Sequence, residues 1–153
     1  MKSINNQSQS LQQNIAIFTW IISAIVLFLT SIGAYDFIMT ISQNTQYFDY
    51  MNYGSRQTTY FMNYPLSLTI FWFMGIWGAF AGSVCLLLRL KTARNLFVVA
   101  ALGQIILDIY TFAFKHRWEI LGPKLCTQDL IILVFTILLV IYSQYLINRG
   151  FLK

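Results

Sequence analysis

Polar positions crowd into a few short stretches of this chain, and long apolar runs lie between them. A hydrocarbon core roughly 30 Å thick is crossed by about 20 consecutive apolar residues in helical form. Four runs have that length without an internal Lys or Arg: about 15–35, 66–88, 96–114 and 130–146. Their ends carry helix signals. Pro65 stands at the first turn of the second run, where its missing N–H forfeits no intrahelical bond. Thr127 is placed to cap the fourth, with Asp129 beside the positive end of its dipole. The pattern predicts an all-α fold, a four-helix transmembrane bundle of antiparallel up-down topology. Reading the first run as a cleaved signal peptide ending near Ser31-Ile32-Gly33 is the main rival. It is disfavoured because the apolar stretch exceeds the roughly 7–15 residues usual for such peptides.

The polar stretches divide the chain further. Residues 1–14, with Asn5-Asn6-Gln7-Ser8-Gln9-Ser10, have little to bury and read as a disordered tail. Residues 15–146 form a single transmembrane domain and 147–153 a short C-terminal tail. Between the first two spans, Asp36 to Tyr64 holds Tyr47, Phe48, Tyr50, Met51, Tyr53, Tyr60, Phe61, Met62 and Tyr64. Tyrosine favours the membrane interface because its ring is apolar and its hydroxyl wet. This aromatic-rich extracytoplasmic loop is expected to lie along the interface as a cap of short helices, with Asp36 to Ile41 extending the first helix. A loop of about fifteen residues is expected before the fourth span.

Composition makes lipid the required solvent. Charged residues are 10% of the chain and apolar ones 58%, against roughly 25% and 45–50% in soluble domains. Lys2, Arg89, Lys91, Arg94, Arg149 and Lys153 fall on the N-terminal side of the predicted spans; Arg56, Lys115, Arg117 and Lys124 fall on the other. Positively charged loops stay cytoplasmic, so the short Arg89, Lys91, Arg94 turn sets the topology and both termini are expected inside. The net charge of +5 needs no nucleic-acid partner, because these cations sit at membrane edges facing anionic headgroups.

Within the spans, Asp108 is the most informative residue. Counted from Leu96 it lies about 18 Å along the third helix, just past the midplane. An ionisable group at that depth faces the bundle interior or a water-filled cavity. Gln104, one turn earlier, shares its face. Two roles are open for Asp108: a proton-coupling or substrate-contacting carboxylate, or a protonated acid that hydrogen-bonds neighbouring helices and fixes their packing. Asp36, at the outer end of the first span, is a weaker third member of such a site and reads more simply as a solvated or capping residue. In the second span Gly78 and Gly82 form G-x-x-x-G beside a row of Gly75, Ala79 and Ser83, small residues that let another helix approach closely. Trp72 and Trp77 flank that face as packing or lipid-facing rings.

The remaining inventory argues against an enzyme. A lone histidine, His116, cannot build a bis-His haem site or a zinc site, so no metal or cofactor is expected. Cys85 and Cys126 fall in opposite leaflets and outside any C-x-x-C, and no nucleophile pair or phosphate loop is present. Lys115, His116, Arg117 and Glu119 make the one candidate catalytic patch, which a solvated loop explains more simply.

Trp77-Gly78-Ala79-Phe80-Ala81-Gly82-Ser83, followed by Leu86-Leu87-Leu88-Arg89 and Ala93, fits the pattern W-G-x-x-x-G-S-x-x-L-L-L-R-x-x-x-A. With Tyr35-Asp36-Phe37-Ile38-Met39-Thr40 and Tyr64-Pro65-Leu66, it resembles a family of small four-helix bacterial inner-membrane proteins over roughly the first two thirds of the chain. Some members carry the label "sugar transporter", although no mechanism or site residue is established for them. The resemblance implies a multi-pass protein of a bacterial inner membrane and a weak tilt toward transport. The leading expectation is a structural or accessory bundle that packs with itself or a larger complex. The alternative is a small oligomeric transporter using Asp108, Gln104 and Asp36. It is similar to the small multidrug resistance exporters in helix number but not in the placement of its acid.

Overall fold

The computed structural model describes the backbone from Lys2 to Lys153 and side chains from Ala16 onward. Its elements are all helical: α1 (Lys2–Ile41), α2 (Thr45–Tyr50), α3 (Ser55–Met62), α4 (Leu66–Leu87), α5 (Thr92–Phe114) and α6 (Arg117–Asn148). Four of them are long and apolar enough to cross a membrane, over Ala16–Ile41, Leu66–Leu87, Thr92–Phe114 and Arg117–Asn148. Their outward faces are apolar; Phe18, Phe28 and Phe114 are each about two thirds exposed, as suits lipid contact. The chain is a multi-pass membrane protein.

Two boundaries differ from expectation. The backbone of α1 starts at Lys2, so the segment expected as a disordered tail continues the first apolar helix; lengthening an existing helix requires no new nucleus. The expected fifteen-residue third loop shrinks to Lys115 and His116, with His116 in the left-handed region at φ 47°. Gly122 at φ 79°, ψ 170° interrupts α6, and the helix restarts at Pro123. A glycine free to leave helical φ followed by a proline suited to a first turn explains the break. Thr127 therefore lies inside α6 and caps nothing, and Asp129 sits more than a turn past the restart.

The long helices pack in the order α1, α4, α5, α6, which puts α4 and α5 at the centre. The α4/α5 contact rests on small residues. A Cβ added at Gly82 would come within 2.8 Å of the Phe97 ring, and one at Gly78 within 3.2 Å of the Ala100 Cβ. From the facing helix, a Cβ on Gly103 would meet the Phe71 carbonyl oxygen at 2.9 Å. Backbone approach of this kind supplies the dispersion contacts that drive helix association in lipid. Ser83 turns instead to α1, where its hydroxyl meets that of Thr30 at 2.9 Å. Gly75, Gly78 and Gly82 thus meet α5, and Ser83 meets α1.

The two ends of the bundle differ in character. At one end, the α4–α5 turn is clipped by the C-terminal residues: Lys91 N–H donates to the Lys153 carbonyl at 2.9 Å, and Lys153 N–H to the Arg89 carbonyl at 2.8 Å. Arg89 stacks over Phe151 with 4.6 Å to the ring centre, while Arg94 Nη1 donates to Gln144 Oε1 at 2.9 Å. Leu86, Phe97, Leu146 and Leu152 are fully buried beneath this turn. At the opposite end, α2 and α3 fold over the helices as an aromatic layer. Phe37 meets Trp72 edge-on at 5.0 Å, and Phe61 and Tyr64 stand on the same indole at 6.1 and 5.7 Å.

Candidate functional site

Under that aromatic layer lie the buried charged groups Arg117 and Asp108. Arg117, in the first turn of α6, donates through Nε and Nη2 to Asp129 Oδ2 at 2.9 and 2.8 Å. The Gly122 break lets the short first segment of α6 fold back so that residues twelve positions apart meet. Side-chain exposures of 10% and 23% make this a buried pair rather than a surface one, so geometry and supporting bonds decide its worth. Those supports are present. Arg117 Nη1 reaches the Tyr60 hydroxyl at 3.5 Å, and the Cys126 thiol donates to the Arg117 carbonyl at 3.6 Å.

Asp108 is 6% exposed, and its Oδ2 has no hydrogen-bond partner among the described residues. It lies within electrostatic range of both Asp129 and Arg117. Measured along α5 from Thr92 it is about 24 Å in, closer to the aromatic end than the midplane position expected from the sequence. Gln104 does share the region, but its amide goes elsewhere, donating from Nε2 to the Asp129 backbone carbonyl at 3.0 Å. Gln104 therefore ties α5 to α6, one turn from an acid with a vacant oxygen.

Asp36 is not a helix-end residue, because α1 runs on to Ile41. It is half-buried and accepts the Tyr47 hydroxyl at 2.5 Å, which fastens α2 to α1. It also lies in the electrostatic range of Asp129. The site thus sets Asp108 and Asp129 near a single guanidinium, Arg117, with Asp36 within electrostatic range of Asp129. Among the described residues no group of His, Cys, Asp and Glu is close enough to hold a metal ion.

The roof responds to the same surroundings. Burial, followed by the field of Asp36 and Asp129, pushes the Tyr53 phenol up to about 12. Burial first, then the bond to Asp36, raises Tyr47, and burial also raises Tyr60 and Tyr64 against the opposing pull of Arg117. All four phenols stay neutral donors or acceptors at ordinary pH.

Gly78 and Gly82 face α5, as does Gly75, whose added Cβ would sit 3.7 Å from Gln104 Cβ. Arg89, Lys91 and Arg94 gather with Arg149 and Lys153 at the other end, remote from Asp108. Sequence reasoning assigned Arg117 to a solvated loop, Asp129 to a helix start and Tyr60 to the aromatic loop without bringing the three together, and it missed Gly103. The available signal was Gly122-Pro123, a break-and-restart pair that places the preceding turn next to the start of the following helix. No protein-family model, curated protein or solved structure matches this chain.

Proposed function

We propose that this chain is a small transporter of a bacterial inner membrane, an antiparallel up-down bundle with both termini cytoplasmic, working as an oligomer. In this reading Asp108 is the proton-coupling carboxylate. One observation carries it: Asp108 is buried inside a membrane-spanning helix with an oxygen that has no hydrogen-bond partner among the described residues. An acid kept only to fix packing would bond across helices, as Gln104 does to Asp129. A buried carboxyl without such a partner gains or loses a proton with little rearrangement, which suits it to coupling. Arg117 and Asp129 hold a fixed charge pair beside it, and Gln104 sets the spacing of α5 and α6.

The reading includes membership of the small four-helix family whose W-G-x-x-x-G-S pattern the chain shares. An accessory, packing-only bundle is the second reading, favoured by how closely Gly78, Gly82 and Gly103 fit α4 to α5. Proteoliposomes with a lumenal pH dye separate the two. Under an imposed pH gradient the transporter reading expects proton flux that Asp108→Asn abolishes while the melting temperature is kept. Equal flux in both proteins overturns it.

A further inference from the structure

A second feature lies on the other side of Tyr60. A cleft of about 700 Å³ opens between α3 and the α5–α6 corner, a size within the usual range for small-ligand sites. Its walls bring Arg56 and Lys115 together with the Ser55, Thr59 and Tyr60 hydroxyls and the Asn63 amide. Neither Arg56 nor Lys115 forms an ion pair; the ion pairs among the described residues are Arg117–Asp129 and the exposed His116–Glu119 contact at 3.8 Å. Glu119 is the one acid on the lining, and it leans toward His116 with 77% of its side chain exposed. The cleft therefore holds two unneutralised cations of one loop and one helix, flanked by the Ser55 and Tyr60 hydroxyls and by the Asn63 amide, one of whose N–H groups is left after its bond to the Thr59 carbonyl at 3.2 Å; the Thr59 hydroxyl already donates to the Ser55 carbonyl at 2.8 Å.

That combination is what a tetrahedral oxyanion requires. Arg offers a planar fork to two oxygens, Lys a point charge to a third, and hydroxyls and an amide complete the shell. Partial enclosure weakens solvent screening relative to a flat surface. We propose that this cleft binds a phosphate-class oxyanion, presented either by a free phosphate compound or by an anionic lipid headgroup at the membrane edge. The cleft shares no residue with Asp108 or Gln104, so this site stands or falls separately from the transport reading.

The test uses the full chain in nanodiscs and inorganic phosphate as the probe. In purely phosphatidylcholine nanodiscs, calorimetric phosphate binding that weakens at least tenfold in Arg56→Gln/Lys115→Gln supports the free-ligand source. If phosphate does not bind, native mass spectrometry of phosphatidylglycerol nanodiscs decides: lipid retained by the wild type and lost by the double variant supports the headgroup source. Asp108→Asn is expected to leave either result unchanged. Both side chains are solvent-accessible, so the double variant is expected to melt with the wild type. Phosphate and lipid retention that are both absent, or both indifferent to the double substitution, overturn the proposal.

Discussion

The Arg117 guanidinium closes on the Asp129 carboxylate at 2.8 Å across the Gly122 break, joining the two segments of α6. Removing one partner leaves the other buried and uncompensated, which costs about 3–5 kcal/mol in such settings. Arg117→Gln and Asp129→Asn are each expected to lower the thermal midpoint strongly in detergent. The pair Arg117→Met/Asp129→Leu is expected to lose clearly less than the sum. A double-mutant cycle without coupling would show that the two charges are independent.

Gly103 is the least replaceable glycine in the bundle. Its added Cβ meets backbone, the Phe71 carbonyl at 2.9 Å, which has no rotamer to escape into. Gly103→Ala is expected to destabilise by about 1–3 kcal/mol, the range for overpacking. Gly33→Ala, whose Cβ would touch only Ile76 Cδ1 at 3.5 Å, is expected to be neutral or slightly stabilising. Equal melting of the two variants would contradict the close α4/α5 fit.

The aromatic roof predicts an alkaline limit to stability. Tyr53 is raised to about 12 and Tyr47 and Tyr64 are raised as well, whereas unfolded tyrosine ionises near 10. Between those values the unfolded chain has released protons that the native chain still holds, so stability falls as pH rises through this window. Spectrophotometric titration is expected to show a group of tyrosines that ionise late, and only together with loss of helical circular dichroism. A single transition near pH 10 with the helices intact would contradict the burial of the roof.

Topology follows from the cations. Reporter fusions after Arg94 are expected to be active in a cytoplasmic assay, and an insertion at Asn52, between α2 and α3, in an extracytoplasmic one. The reverse pattern would invert the assignment and place the oxyanion cleft on the cytoplasmic face.

The spans were legible because each apolar run is long enough to cross a bilayer and free of Lys and Arg, a signal that depends on no tertiary contact. Asp108 was legible for the same reason: one carboxylate inside such a run stands out. Its surroundings were not. Arg117 reads as a loop charge and Asp129 as a helix-start charge, and only the three-dimensional path of α6 around Gly122-Pro123 turns one back onto the other. Gln104 was recognised as sharing a region with Asp108, yet its actual acceptor, a backbone carbonyl on α6, carries no mark in the sequence. Gly103 stands alone without a G-x-x-x-G partner, so its close approach became visible only against α4.

In the proposed transporter, Asp108 is a buried carboxyl that exchanges a proton, and its Oδ2 has no hydrogen-bond partner among the described residues. pH-difference infrared spectroscopy of the protein in nanodiscs tests this most directly, because a protonated carboxyl lacking hydrogen bonds absorbs at higher frequency than a solvated one. The wild type is expected to show such a high-frequency carboxylic band that appears and disappears reversibly with pH. Asp108→Asn is expected to lose it, and Asp49→Asn, an exposed acid in α2, to keep it. Identical difference spectra for the wild type and Asp108→Asn would contradict the account.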